Sequence, residues 1–441
     1  MLNSLLKKYH LSTEILVILF LRIWQALAGL ATTLLAVHFL SAEEQGWYYS
    51  FISVAALYYL FDLGLSSVLV QVSAHAYTKM NHGTTATAKQ ESRRYYEALI
   101  GRATRWYALL ALLFIIALLP GGFIFFASKH SANIHWISQW MTLCLLTAGG
   151  LLVMPLMSIM EGSGQIAQVY SVRLTQAVAG SLLCWLTLYF IPGLWATVMV
   201  PAMGVLVPTL WVCRARKEIL LTAKKHIFAK FDWYGEVWPL QWRIGINWLC
   251  GYLLTQINIP ILFQMQGATV AGQLGLSLAI VNTLALISQT WLTRRVPHMA
   301  GSVARKDWAA LDKTFAISFG LSILLFSASG TCALFLHWWL GNTKFVHRLL
   351  PFWPFAGLLA FTLANQIISG FATHLRSYRR EPLMRLILIS TLVAVPAILW
   401  AVKLYSVAGM VAVLDVIYIL INLPIAFILW RKYNRVWRQE A

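Results

Sequence analysis

Long apolar segments alternate with short gaps along the whole chain, and the basic residues occupy every second gap. Of the 34 Lys and Arg residues, 28 lie in the two ends and in alternate gaps, four lie in or beside the intervening gaps, and two lie inside apolar segments. Cytoplasmic loops of membrane proteins collect Lys and Arg, whereas translocated loops shed them. The pattern therefore predicts an all-α polytopic inner-membrane protein with both termini in the cytoplasm.

The apolar segments number about twelve, and a wrong count would scramble the charge alternation. They lie at about 15–40, 47–72, 106–127, 136–160, 172–191, 194–213, 237–264, 268–292, 315–338, 350–374, 386–402 and 407–430. A basic gap in the middle predicts two six-helix lobes, at 1–213 and 237–441, joined by a basic cytoplasmic linker at 214–236. Six helices in each half favour two parallel repeats with a path between them, as in duplicated transporters.

The composition excludes several function classes. The chain is 59% hydrophobic and 11% charged, whereas soluble domains carry about 25% charged residues. The net charge of +19 lies at the ends of apolar segments, which predicts anionic lipid headgroups rather than nucleic acid as partners. There is no Walker A sequence, and we expect no cofactor or metal. The driving force is then a proton or sodium gradient, the membrane potential, or downstream consumption of the product.

Two arginines lie inside predicted spans, Arg22 in the first and Arg243 in the seventh. An ionised side chain in the bilayer costs at least ~2.5–3.5 kcal/mol on insertion scales, which favours a cavity-lining role. These spans open the two predicted halves, so the arginines occupy matching positions. Guanidiniums bind phosphate bidentately, and we predict a cationic cavity for phosphate or pyrophosphate. Snorkelling of either side chain to the headgroups is the open alternative.

Two aspartates also lie inside spans. Asp62 could bind a coupling cation, pair with an arginine across the cavity, or cap a kink at Gly64, and we favour structural pairing. Asp415, early in the last span, is a candidate for coupling, with interfacial burial and hydrogen bonding as the alternative. No combination of Asp, Glu and His residues within the spans resembles the active site of a protease or another hydrolase. We therefore predict that the chain has no catalytic residue and is a carrier rather than an enzyme.

Two stretches around the second span resemble a known family. Phe39–Phe51 (FLSAEEQGWYYSF) and Leu60–Gln71 (LFDLGLSSVLVQ) are similar to the first helical hairpin of bacterial polysaccharide flippases. These are the O-antigen (Wzx-type) flippases of the multidrug/oligosaccharidyl-lipid/polysaccharide (MOP) exporter superfamily. The shared features are a glycine followed by aromatic residues, then an Asp-Leu-Gly step. Elsewhere the resemblance is one of architecture, twelve spans in a six-plus-six arrangement.

The resemblance implies a V-shaped bundle of two lobes that works by alternating access. It implies a cationic central cavity, in which Arg22 and Arg243 would contribute, and an undecaprenyl-pyrophosphate-linked oligosaccharide as substrate. The glycan, an O-antigen or related repeat unit for lipopolysaccharide, would move from the cytoplasmic to the periplasmic leaflet of the bacterial inner membrane. A polysaccharide polymerase and a chain-length regulator are candidate partners that the sequence leaves open.

Three alternatives remain at the level of sequence. A cation-coupled multidrug exporter of the same fold should carry acidic residues in its amino-terminal cavity, for which Asp62 alone is thin support. A membrane-embedded glycan polymerase or ligase usually has a large periplasmic loop, and every outward gap here is short. A peptidoglycan lipid flippase often has more than twelve spans. The glycan flippase is the favoured interpretation.

Overall fold

The computed structural model describes residues 13–82, 86–129, 134–341, 343–378, 380 and 382–440. Within these ranges all regular structure is helical. The first helices are α1 Thr13–Phe39, α2 Ala42–Ala55, α3 Tyr58–Asp62, α4 Leu65–His82, α5 Ala86–Ala127, α6 Ile137–Gly162, α7 Ile166–Phe190, α8 Ala196–Ala215, α9 Lys217–Lys225 and α10 Trp233–Glu236. The others are α11 Trp238–Thr255, α12 Asn258–Gln266, α13 Ala268–Thr293, α14 Val296–Ala304, α15 Trp308–Trp339, α16 Lys344–His347, α17 Phe352–Arg376, α18 Met384–Asp415, a π-helical turn Val416–Asn422, and α19 Leu423–Glu440.

Ten stretches of the described chain are long and apolar enough to cross a bilayer. The last of them, Met384–Gln439, has 56 residues, far more than the ~20 that one crossing needs. Ser406 interrupts it with φ 54° and ψ −142°, which divides it into two crossings. Helix α7, with 25 residues, is long enough to add another. The fold is thus an all-α, multi-pass bundle of about twelve crossings, and the predicted fold class is confirmed.

The second predicted span is not one helix but three, α2, α3 and α4. The break between α3 and α4 places Leu63 at φ 44° and Gly64 at φ 70°, a left-handed conformation that glycine adopts freely and leucine does not. The side chain of Asp62 accepts hydrogen bonds from the backbone N–H (3.3 Å) and the hydroxyl (2.9 Å) of Ser66. It thereby caps the first turn of α4, in the manner of an N-terminal cap.

The helices form two compact units, each with its own core. The first unit comprises the described parts of Met1–Leu40 and Phe51–Tyr252. In it α7 packs against α1 and α8, and α5 packs against α6. Three fully buried aromatic rings, Phe51, Phe126 and Trp140, lie with their centroids 4.6 to 5.3 Å apart. Aromatic packing of this kind stabilises a core beyond the area it buries.

The second unit comprises Ser41–Ser50 and the described parts of Leu253–Ala441. Its first segment is the start of α2, where the Trp47 ring meets that of Phe263 edge-on, with centroids 5.1 Å apart. The amide of Gln45 donates a 2.9 Å hydrogen bond to the carbonyl of Gly272 in α13. The division into lobes 1–213 and 237–441 with a linker at 214–236, drawn from the charge pattern, stays a prediction.

Gly46 marks a direct contact between the backbones of α2 and α13. A Cβ placed on Gly46 would lie 1.9 Å from the carbonyl oxygen of Ala268, and one on Gly272 would lie 2.8 Å from the nitrogen of Gly46. Small residues are common where membrane helices approach this closely. The glycine of the Phe39–Phe51 stretch therefore has a packing role in the second unit.

Candidate functional site

Arg22 lies on α1 and its side chain is exposed on the first unit. Its Nη1 donates a long, 3.4 Å hydrogen bond to the Oε1 of Gln25, one turn further along the helix. In the part of the chain that the structure covers, no carboxylate pairs with Arg22. A guanidinium has five N–H donors, so most of its donors are available to a ligand or to solvent.

The rotation of α1 about its axis is set by indole hydrogen bonds to and from α7. Trp24 Nε1 donates to the hydroxyl of Ser181 at 3.0 Å, and Trp185 Nε1 donates to the hydroxyl of Thr32 at 2.8 Å. Trp24 and Thr32 lie eight positions apart, hence on one face of α1. Arg22 lies two positions before Trp24, about 200° around a helix of 3.6 residues per turn. Arg22 therefore projects from the side of α1 nearly opposite Trp24 and about 80° from Thr32, which lies ten positions further along.

A neighbouring carboxylate is already neutralised. Glu161, at the end of α6, forms a 2.8 Å ion pair with Arg173 and accepts a 3.2 Å hydrogen bond from the hydroxyl of Tyr170. The guanidinium of Arg173 also lies 4.9 Å from the centre of the Tyr170 ring. Arg22 is near enough to act electrostatically on Tyr170, yet Glu161 is committed to Arg173. Within the described chain, the positive charge of Arg22 therefore has no carboxylate paired with it.

Arg243 lies on α11 and is likewise exposed. Its guanidinium carbon is 5.6 Å from the ring centre of Trp242, and none of the described carboxylates pairs with it. Another face of α11 packs against the break after α3, where a Cβ on Gly245 would lie 3.1 Å from the Cβ of Leu63. This packing holds α11, and Arg243 with it, in the first unit.

Arg22 and Arg243 therefore both belong to the first unit, because that unit extends to Tyr252 and includes most of α11. Each is an exposed guanidinium on a helix long enough to cross a bilayer, and each lacks a described acidic partner. The meeting of the two across a central path stays a prediction.

Asp62 is buried, with 3% of its surface exposed. Besides its bonds to Ser66, its Oδ1 accepts a 2.5 Å hydrogen bond from the hydroxyl of Tyr107 on α5. Its partners are neutral donors, and no basic side chain among the described residues forms an ion pair with it. The sequence left three roles open to Asp62: binding a cation, pairing with an arginine, and capping a kink at Gly64. The observed hydrogen bonds correspond to the third role.

Asp415 ends α18 in the second unit and is half-buried. A Cβ on Gly357 of α17 would lie 2.6 Å from its Oδ2, so the glycine leaves room for this carboxyl in its observed position. Its Oδ1 is shielded from solvent and lacks a hydrogen-bond partner within the described chain. The π-helical turn Val416–Asn422 follows directly, and such turns are frequent at functional sites. An unsatisfied buried oxygen of this kind can be stabilised by a proton or a small cation.

Sequence reasoning did not identify Tyr107 as the partner of Asp62, because the two lie 45 positions apart and nothing local links them. Among the in-span amides, Gln366 of α17 donates to the carbonyl of Ala285 (3.1 Å) and the hydroxyl of Ser288 (2.8 Å) on α13. This amide joins two helices, as polar residues within membranes commonly do. Among the described residues, no group of three or more His, Cys, Asp or Glu could hold a metal ion.

No family model and no curated protein matches this sequence. Solved structures do match its fold. An inward-facing multidrug resistance MATE family transporter of the MOP superfamily has a TM-score of 0.61 at 10% identity, over 93% of this chain and 99% of that one. An outward-facing structure of such a transporter has a TM-score of 0.53 at 10% identity, over 98% and 97%. The lipid II flippase MurJ, in an inward closed conformation, has a TM-score of 0.59 at 12% identity, over 95% and 87%. The chain thus has the fold of MOP-superfamily transporters and flippases.

Proposed function

We propose that this protein is a flippase for an undecaprenyl-pyrophosphate-linked oligosaccharide, an O-antigen or related polysaccharide repeat unit. It carries this unit from the cytoplasmic to the periplasmic leaflet of the bacterial inner membrane. The observation that carries the proposal is the pair of exposed guanidiniums, Arg22 and Arg243, on span-length helices, neither of which has an acidic partner among the described residues. The Wzx-like stretches around α2 to α4 and the similarity of fold to a lipid II flippase support it.

The charge of the site favours an anionic substrate. An unpaired guanidinium within the bilayer is unfavourable by at least ~2.5–3.5 kcal/mol, and a bound pyrophosphate offsets this through charge-assisted, bidentate hydrogen bonds. A cationic drug would be repelled by the same charges. A pyrophosphate with several sugars also cannot cross hydrocarbon unaided, since each unsatisfied polar group costs several kcal/mol. A protein path for the head, with the polyprenyl tail in lipid, avoids this barrier.

The transport cycle is one of alternating access, in keeping with the inward-facing and outward-facing structures of this fold. Asp415 is the candidate for coupling to a proton or sodium gradient, since its Oδ1 lacks a hydrogen-bond partner within the described chain and its Oδ2 lies beside Gly357. The membrane potential is the alternative driving force. A polysaccharide polymerase and a chain-length regulator are the candidate partners on the periplasmic side. The protein itself acts as a carrier, not as an enzyme.

The first test is deletion of the gene, followed by measurement of surface polysaccharide and of the leaflet that holds the lipid-linked unit. We expect loss of surface glycan, with intact units retained on the cytoplasmic leaflet. If the units reach the periplasm but stay unpolymerised, the flippase assignment is wrong and a polymerase or ligase activity replaces it.

The second test is complementation of that deletion with arginine variants. Arg22→Ala removes a charge-assisted contact, so we expect transport to fall about tenfold or more, while Arg22→Lys retains part of it because the charge remains. Arg94→Ala is the matched control, since Arg94 is exposed on α5 away from the apolar part of that helix. All three variants should insert to equal levels. Normal glycan with Arg22→Ala at low expression would contradict the role of Arg22.

A cation-coupled multidrug exporter is the second candidate, favoured by the TM-score of 0.61 to a MATE family transporter. The deletion separates the two functions. If the protein is an exporter, the deletion leaves surface glycan unchanged and increases sensitivity to cationic drugs. If it is a flippase, the deletion removes surface glycan.

A further inference from the structure

A cationic site separate from Arg22 and Arg243 lies in the first unit, beside the middle of α5. It is a cavity of ≈ 540 Å³, lined by Arg102 and Arg105 of α5 and by the segment Phe228–Asp232 that connects α9 to α10. We call this cavity the basic pocket. None of the residues assigned above to transport contributes to it.

The basic pocket is built by close packing and is not an accidental cleft between loose side chains. A Cβ on Gly101 would lie 2.0 Å from the carbonyl oxygen of His226, so the connecting segment rests directly on the backbone of α5. The guanidinium carbon of Arg105 lies 4.9 Å from the centre of the Phe228 ring. His226 Nε2 is also 3.5 Å from Glu97 Oε2, one turn earlier on α5. These contacts hold the segment in place over the two arginines.

Three cationic side chains line the pocket. Within the described residues, Arg102, Arg105 and Lys230 form no ion pair, and Arg102 Nε is shielded from solvent with no hydrogen-bond partner. That Nε belongs to an edge of the guanidinium that can bind phosphate bidentately. Like charges that line one cavity repel one another, and a bound anion would reduce this repulsion and could accept a hydrogen bond from Arg102.

The nearby carboxylates are engaged elsewhere. Glu97 is paired with Arg93 at 3.0 Å and lies beside His226. Asp232, on the rim of the pocket, caps α10 by accepting a 3.0 Å hydrogen bond from the backbone N–H of Gly235. The lining residues therefore carry three positive charges against one negative charge that is already hydrogen-bonded, and a net attraction for anions remains.

The surroundings identify the source of the anion. The apolar part of α5 begins directly after Arg105, so the pocket lies at the level of the lipid headgroups. Large apolar side chains beside it are exposed: Phe228 at 78%, Tyr234 at 75% and Trp238 at 48%. Aromatic side chains concentrate at the membrane interface, and basic pockets on the cytoplasmic side bind anionic headgroups. We propose that the basic pocket binds the phosphate group of an anionic lipid of the cytoplasmic leaflet.

The test is native mass spectrometry of the full-length protein, released from detergent with phosphatidylglycerol or with phosphatidylcholine of matched acyl chains. We expect the wild type to retain phosphatidylglycerol about tenfold better, because the phosphate receives charge-assisted hydrogen bonds. The double variant Arg102→Gln/Arg105→Gln should reduce that ratio to near one. Lys230→Gln changes an exposed position on the rim and should lower the ratio of retained phosphatidylglycerol to phosphatidylcholine partly. This single variant replaces the double variant if the latter fails to fold.

Arg94→Gln is the matched control, because it removes one charge from an exposed position on the same helix outside the pocket. The proposal requires the ratio of this variant to equal that of the wild type. If Arg94→Gln lowers the ratio as much as the double variant does, diffuse surface charge and not the basic pocket retains the lipid, and the proposal is wrong. Full displacement of the lipid by inorganic phosphate at equal concentration would assign the pocket to a free anion instead. None of these outcomes depends on what the protein transports.

Discussion

Gly46 offers a sharp test of the packing in the second unit. In Gly46→Ala the new Cβ would lie 1.9 Å from the carbonyl oxygen of Ala268, whereas a carbon and an oxygen in ordinary contact lie about 3.5 Å apart. The obstacle is backbone at the start of α13, which cannot rotate aside as a side chain can. The two helices must therefore move apart by an ångström or more.

The expected destabilisation follows from what this separation disrupts. Overpacking of a tight interface costs about 1–3 kcal/mol. The 2.9 Å hydrogen bond from Gln45 to Gly272 lies one residue away, and its loss adds about 1 kcal/mol. We therefore expect Gly46→Ala to lower the free energy of unfolding by about 2–4 kcal/mol.

The assay is unfolding of the purified protein by SDS in mixed micelles, followed by circular dichroism. Gly320→Ala on α15 is the matched control, because a Cβ there has nothing within 4 Å. An alanine in an open helical position should be neutral or stabilising by up to about 1 kcal/mol. Wild-type stability of Gly46→Ala, or equal loss in both variants, would refute the inferred backbone contact.

Two further predictions concern polar contacts. Tyr107→Phe and Asp62→Asn should show a coupling of about 1–2 kcal/mol in the free energy of unfolding in a double-mutant cycle, because the two side chains share a buried 2.5 Å hydrogen bond. Changes that add to within about 0.5 kcal/mol would contradict this coupling. Arg438 forms a bidentate ion pair with Asp312, but the two side chains are 24% and 54% exposed. Arg438→Gln should therefore destabilise by no more than about 1 kcal/mol, and high salt should abolish most of the difference; a larger, salt-independent loss would argue against a screened surface pair.

The sequence predicted those properties that each helix carries by itself. Length, hydropathy and the alternation of Lys and Arg depend on how one segment is solvated, and they led to the all-α class with about twelve crossings. The gap expected before residue 407 corresponds to the break at Ser406. The second span was less well predicted. A kink at Gly64 capped by Asp62 was one of the roles open to that carboxylate from the sequence, but the span was drawn as one helix, whereas the structure divides it into three.

The candidate residues show the same division. An arginine or aspartate inside an apolar segment stands out by its insertion cost, so Arg22, Arg243, Asp62 and Asp415 were visible from the sequence. Their partners were not, since Tyr107 lies in an ordinary apolar context and reaches Asp62 only through the packing of α5.

Sequence alone predicted that the chain crosses a bilayer many times and carries arginines within its spans, because hydropathy and charge are properties of individual residues. Only the tertiary structure decided that residues 41–50 join the second unit and that most of α11 joins the first. It alone brought Arg102 against a segment more than a hundred positions away. Such contacts depend on close approach of backbones, as at Gly46 and Gly101, and shape complementarity between distant segments leaves no periodic pattern in a sequence.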